Sequence, residues 1–159
     1  MGISGDMATT RTALTDEDIR TLVKGATADE RALAARKLCH SMERETLTGA
    51  DRELAADILR VMAADAAELV RRALAVTLKA SPLMPRDVAN RLARDVESIA
   101  LPILNFSPAF SDEDLAEIVR LGGPVRQTAV AKRPKLSPTV TTAIVEHGVE
   151  TAVEAACAN

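Results

Sequence analysis

Aromatic side chains are nearly missing from this chain of 159 residues, which holds two phenylalanines, Phe106 and Phe110, and no tryptophan or tyrosine. Sites for sugars, flat cofactors or unstacked bases rely on aromatic platforms, so those ligand classes are set aside and no cofactor is expected. Cysteine is equally scarce. Cys39 and Cys157 lie far apart and match no metal or redox spacing, which reads as reduced thiols in a reducing compartment. Glycine and proline number only seven each while alanine is the most frequent residue, a balance that favours packed helices over sheets. No uninterrupted apolar run approaches the roughly 20 residues of a membrane span. The start, Met1 to Asp6, lacks both the basic and the apolar region of a signal peptide, and Asp6 stands where a myristoylation start wants Ser or Thr. A net charge of −3 gives no global electrostatic case for nucleic acid or an anionic membrane. A cytoplasmic protein without membrane attachment is expected.

What is present is an ordinary globular balance, 47% apolar and 27% charged, long enough for one domain with a substantial core. One pattern recurs: a large apolar residue, a capping residue, then a helical run. Leu14-Thr15-Asp16-Glu17-Asp18-Ile19 returns as Phe110-Ser111-Asp112-Glu113-Asp114-Leu115. In each, the hydroxyl suits an N-cap, the acids face the positive end of the helix, and the flanking apolar pair has staple spacing. Related starts stand at Leu47-Thr48, Leu83-Met84-Pro85 and Leu136-Ser137-Pro138, the last two with Pro suited to a first helical turn. Successive starts are 33, 36, 27 and 26 residues apart. Such a step is too long for one globular helix and right for two short ones.

The apolar positions fill in those pairs. Ala35, Leu38, Cys39 and Met42 share a face between Asp29 and Glu45. The second pair holds Leu54, Ile58, Leu59 and Met62, then Val70, Ala73, Leu74 and Leu78; Val88, Leu92 and Val96 open the third. Pro102 is expected to kink or shorten the helix near Glu97 to Phe106. Leu115, Ile118 and Val119 precede a stop at Gly122-Gly123 and a restart at Pro124, and Val140, Ala143 and Ile144 precede a stop at Gly148. The fold expected is all-α: five helix pairs stacked as a right-handed α-solenoid over residues 14–159, after a flexible segment 1–13. A compact bundle of irregular helices is the alternative that periodicity leaves open.

No catalytic constellation emerges. His40 lies beside the apolar stripe of its helix, where a surface histidine is the plainer reading and a phosphoacceptor the sharper one; His147 precedes Gly148 at a helix end, where an imidazolium suits the dipole. Cys39 and His40 are adjacent on a helix and point about 100° apart, so they make a poor metal pair. The acid runs Asp16-Glu17-Asp18 and Asp112-Glu113-Asp114 are explained by capping, and Gly122-Gly123 by a helix stop. Catalytic, cofactor and metal residues are therefore expected to be none. Charge is the informative irregularity. Val70 to Arg94 carries Arg71, Arg72, Lys79, Arg86, Arg91 and Arg94 against Asp87 alone, and Ile118 to Val145 carries Arg120, Arg126, Lys132, Arg133 and Lys135 with no acid. In a stacked array Arg71 and Arg126 would align along one surface, a basic groove for an acidic partner.

Specific segments resemble known repeats. Glu68 to Leu78 resembles the second helix of a HEAT repeat, with Val70-Arg71 followed by spaced Ala and Leu, and Gly123 to Ala131 resembles it again. Ser81 to Val88, Ile99 to Leu104 and Ala129 to Arg133 look like the bacterial family catalogued as domain of unknown function 2336, a resemblance extending from about Leu14 to Asn159. It implies a HEAT-like fold without an established activity, and a chain that is the N-terminal module of a longer protein. It also implies that arginines such as Arg71 and Arg126 pair internally with acids of the adjacent repeat, with Asp65 and Asp95 placed for that role. For Arg72, Lys132, Arg133 and Lys135, solvation comes first and partner contact second. The function expected is a non-enzymatic interaction or scaffold module for a protein partner or another domain of its parent chain, in bacterial signalling or regulation. A nucleic-acid-binding solenoid is the alternative, since some HEAT-like proteins are DNA glycosylases with basic concave faces; this chain has the bases without the aromatics. Phosphotransfer through His40 ranks third. An exposed end of the array offers apolar surface for a dimer.

Overall fold

The computed structural model describes residue 20 and residues 27–44 and 47–159. The start signal at Leu14 to Ile19, the segment 1–13 and Glu45 lie outside the described residues. Among the described residues there are nine helices and no strand: α1 (Ala28–Arg44), α2 (Gly49–Ala63), α3 (Glu68–Leu78), α4 (Arg86–Leu92), α5 (Glu97–Phe106), α6 (Asp112–Leu121), α7 (Pro124–Ala131), α8 (Pro138–His147) and α9 (Glu150–Cys157).

The starts follow their caps. Thr48 accepts from the Asp51 N–H while the Asp51 carboxylate accepts from the Thr48 N–H, and Ser111 and Asp114 repeat this box on α6. Ser137 caps α8 with Pro138 in its first turn. A box that the sequence reading passed over, Thr27 with Glu30, opens α1. Pro85 stands at the N-cap of α4 and not inside its first turn. Gly122 and Gly148 end α6 and α8, each N–H donating back to an Ile carbonyl, Ile118 or Ile144, at 2.7 Å. The helix α5 runs through Pro102 and is ten residues long.

Odd-numbered helices pack each on the next, α1 on α3, α3 on α5, α5 on α7 and α7 on α9; beside them α2 packs on α4 and α6 on α8. Two apolar clusters result. One runs from α1 through Leu59, Leu74 and Leu78 to Ile99 and Ile103, and the other from Ala100 and Leu104 through Val119 and Val130 to Ile144 and Ala152. Phe110 packs against both. The expected stripes of α1, α3, α6 and α8 are buried as read, but α2 is rotated: Ala55 and Ala63 join Leu59 and Met62 inside, and Leu54 is 56% exposed. Val96 belongs to no stripe; it is the exposed N-cap residue of α5. Alanine at the contact positions lets the backbones approach, which explains why the sequence can bury its faces with so few large side chains.

Candidate interaction surface

Arginine and aspartate stitch the odd row together. Arg31 and Arg71 are both fourth residues of their helices, α1 and α3, so each lies next to the turn that precedes the following odd helix. Arg31 forks onto Asp65 with Nε 2.8 Å and Nη2 3.1 Å from the carboxylate oxygens. Arg71 forks onto Asp95 at 2.6 and 3.0 Å, and its remaining Nη1 donates to the carbonyls of Asp65 and Ala66. Asp65 also accepts from the Ala67 N–H and Asp95 from the Val96 N–H, so each carboxylate fixes the turn it sits in. These forks are geometrically specific, charge-assisted bonds. The neighbouring guanidinium holds both carboxyls below the usual carboxylate range. Outside this line, Arg60 pairs with Asp87 and Arg86 with Asp114, linking α2 to α4 and α4 to α6.

The arginines singled out from the sequence separate into three situations. Arg71 pairs internally with Asp95, which itself had been expected to share that role with Asp65; Asp65 instead takes Arg31. Arg126 does not pair with an acid. Its Nε donates to the Ala93 carbonyl at 3.1 Å and its Nη2 to the Asp95 carbonyl at 2.5 Å. The expectation of solvation fails for Arg133, which is half-buried and closes the end of α5 by donating to the carbonyls of Leu104 and Ser107, both at 2.6 Å. Its guanidinium carbon lies 5.8 Å from the centre of the Phe110 ring, and burial holds its pKa below the ordinary value. A short, orphan-rich C-terminus explains the attraction, since unsatisfied carbonyls gather there. Arg72, Lys132 and Lys135 are exposed, Arg72 bonding Glu68 and the Ser98 hydroxyl. Arg71 and Arg126 do meet around Asp95, but inside the seam and not as an open stripe.

The outward face of the odd row is a different surface. Leu69, Arg72 and Val76 of α3 with its C-cap residue Lys79 recur at one-face spacing, as do Val125 and Thr128 of α7 with its C-cap residue Lys132. Between them stands α5, with Phe106 half exposed and the Lys79 ammonium 4.9 Å from its ring centre, a contact that spans α3 and α5. Beyond Phe106 opens a groove of about 520 Å³ between α5, α7 and α9, walled by Leu101, Val125, Thr128, Lys132 and Thr151. Thr128 and Thr151 lie 3.3 Å apart across its floor. The sequence reading missed this face because its apolar members fall outside the buried stripes; their own spacing was the available signal. Among the described residues no three His, Cys, Asp or Glu side chains cluster as a metal would need, and no helix is long and apolar enough to cross a membrane. His40 is exposed on α1 beside buried Cys39.

Residues 99–159 match the family described as an uncharacterised protein conserved in bacteria (DUF2336). The resemblance read from Ile99 to Leu104 and Ala129 to Arg133 is thus shown over the segment that forms α5 to α9. No curated protein and no solved structure matches the chain.

Proposed function

From a chain whose residues 99–159 carry that bacterial family, we propose a non-enzymatic interaction module that holds a protein partner, or another domain of its parent chain, on the outer face of its odd-numbered helices. In this reading the helix pairs continue as a right-handed, HEAT-like α-solenoid, and the module acts as a scaffold in the bacterial cytoplasm. The row packing of odd helices and the forks from Arg31 to Asp65 and Arg71 to Asp95 support the array. The observation that carries the function is the face itself. Leu69, Val76, Phe106 and Val125 stay exposed along α3, α5 and α7 with Arg72, Lys79 and Lys132 among them, although the core uses none of them. Apolar surface rimmed by charge is the chemistry of a protein contact. Its bases suit an acidic, amphipathic segment.

A pulldown from the native bacterial cytoplasm tests this, run at low and high salt with nuclease treatment. Capture of a defined protein that survives nuclease, and its loss in the double variant Val76→Ser with Lys132→Glu, is the expected result. Recovery of nucleic acid alone, lost at high salt, would replace the reading with the nucleic-acid one. Unchanged capture by the double variant would move the contact to another face.

A further inference from the structure

One arginine of the seam lacks its acid. Arg31 on α1 meets Asp65 in the turn before α3, and Arg71 on α3 meets Asp95 in the turn before α5. On α7 the corresponding fourth residue is Gln127, and the turn before α9 offers Gly148 and Val149 in place of an acid. That turn is fastened instead by Gln127, whose amide donates to the His147 carbonyl and accepts from the Val149 N–H. Arg126, one residue before Gln127, reaches back to the carbonyls of Ala93 and Asp95, and no carboxylate among the described residues reaches it. Beside it lies Arg94, whose nearest carboxylate is Glu117 at 3.5 Å.

These two guanidinium groups stand in one recess of about 280 Å³ at the α6–α7 turn. Ile118 and Leu121 form its apolar wall, and Leu121 is 78% exposed, more than any other large apolar side chain among the described residues. The backbone at Gly122-Gly123 carries no side chain to fill it, and a Cβ built on Gly123 would meet nothing within 4 Å. Glu117 is the only acid in the lining. Two cations against one anion leave a net demand for a single negative charge, while the apolar wall asks for a hydrocarbon group beside it.

We infer that this recess binds a carboxylate side chain, flanked by an aliphatic residue, from an acidic segment of a partner protein. The inference rests on the reading of the chain as a protein-interaction module and gives that module a second, chemically defined contact. A phosphate fits the charges less well, because its second negative charge would face Glu117 and it leaves Leu121 bare.

The test is an amide NMR titration of the isotope-labelled full chain with acetyl-Leu-Glu-Leu-amide, acetyl-Leu-Gln-Leu-amide and inorganic phosphate. The Glu peptide should move the Gly122 and Gly123 amides saturably, and the Gln peptide should bind about tenfold more weakly, the value of a charge-assisted bond. Arg94→Gln and Leu121→Ser, both at exposed positions that leave the fold intact, should each weaken the Glu peptide several-fold. Equal binding of the Glu and Gln peptides, absence of shifts at this turn, or an equal response to phosphate overturns the inference. Failure here is separable from failure of the functional reading. A partner captured by wild type while the peptides stay silent leaves the module standing and removes the recess; peptide binding with no captured partner does the reverse.

Discussion

At the scale of single residues, burial divides the two thiols. Cys39 is fully buried in α1, and burial, with Glu43 adding a negative charge nearby, pushes its pKa up to about 12. Cys157 is exposed. Thiolate is the reactive species, so a disulfide-exchange reagent at neutral pH should consume one thiol rapidly in the folded chain and both in denaturant. Fast reaction of both in the native protein would contradict the packing of α1. The arginine-paired carboxylates, inside the seam and outside it, make a second prediction. Asp65, Asp87, Asp95 and Asp114 all have pKa values lowered chiefly by hydrogen bonds from their arginines. A carboxyl whose folded pKa lies below its unfolded one, about 3.9, stabilises above that value and loses the contribution as pH falls through the folded pKa. The urea midpoint should therefore be level near neutrality and drop below about pH 4. Asp95→Asn should lower the neutral-pH midpoint and flatten the acid limb, because Arg71 then faces a weaker acceptor in a seam where both side chains are largely shielded. An unaltered acid limb in that variant would show that other carboxyls govern it.

At the scale of elements, the ends of helices were more legible than their faces. Thr48, Ser111, Ser137, Gly122 and Gly148 could be read as caps because capping chemistry is local, set by a hydroxyl or a missing side chain within a few residues. The rotation of α2 was hidden for the opposite reason. Ala55 and Leu54 are adjacent, and which one enters the core depends on how closely α2 approaches α3 and α4, not on hydrophobicity. The glycine stop gives a sharp contrast. A Cβ on Gly122 would fall against the Ile118 carbonyl oxygen, inside the bond that closes α6, whereas one on Gly123 finds open space. Neither glycine has positive φ, so the difference is purely one of approach. Gly122→Ala should cost about 1–3 kcal/mol as an overpacking change and Gly123→Ala close to nothing, measured as paired urea denaturations. Equal costs would mean that backbone entropy dominates at this turn.

At the scale of the whole molecule, long-range partners decided what the sequence could not reveal. Arg133 looked like a solvated base in an acid-free run, yet the chain brings it to the open carbonyls of α5, 29 and 26 residues earlier. The same is true of Arg126 at the carbonyls of Ala93 and Asp95. Composition marked a basic stretch; only the stacking of helices shows which bases are used internally and which, like Arg72 and Lys132, remain on the outer face. That stacking also has a weak point. The two apolar clusters share Phe110, and Arg133 lies over its ring. In a chain of nearest-neighbour contacts, cooperativity depends on such junctions. Phe110→Ala removes the only large side chain among the described residues that packs against both clusters. Because Phe110 is half-buried, the loss should be near the lower end for such truncations, about 3 kcal/mol. The more telling effect is on cooperativity: the urea transition should broaden, with a lower m value, as α6 to α9 and α1 to α4 begin to unfold separately. Amide exchange followed separately in α3 and α8 would expose this as two opening free energies in place of one. A parallel shift of both helices with an unchanged m value would show that the seam of arginines and aspartates, and not Phe110, couples the two halves.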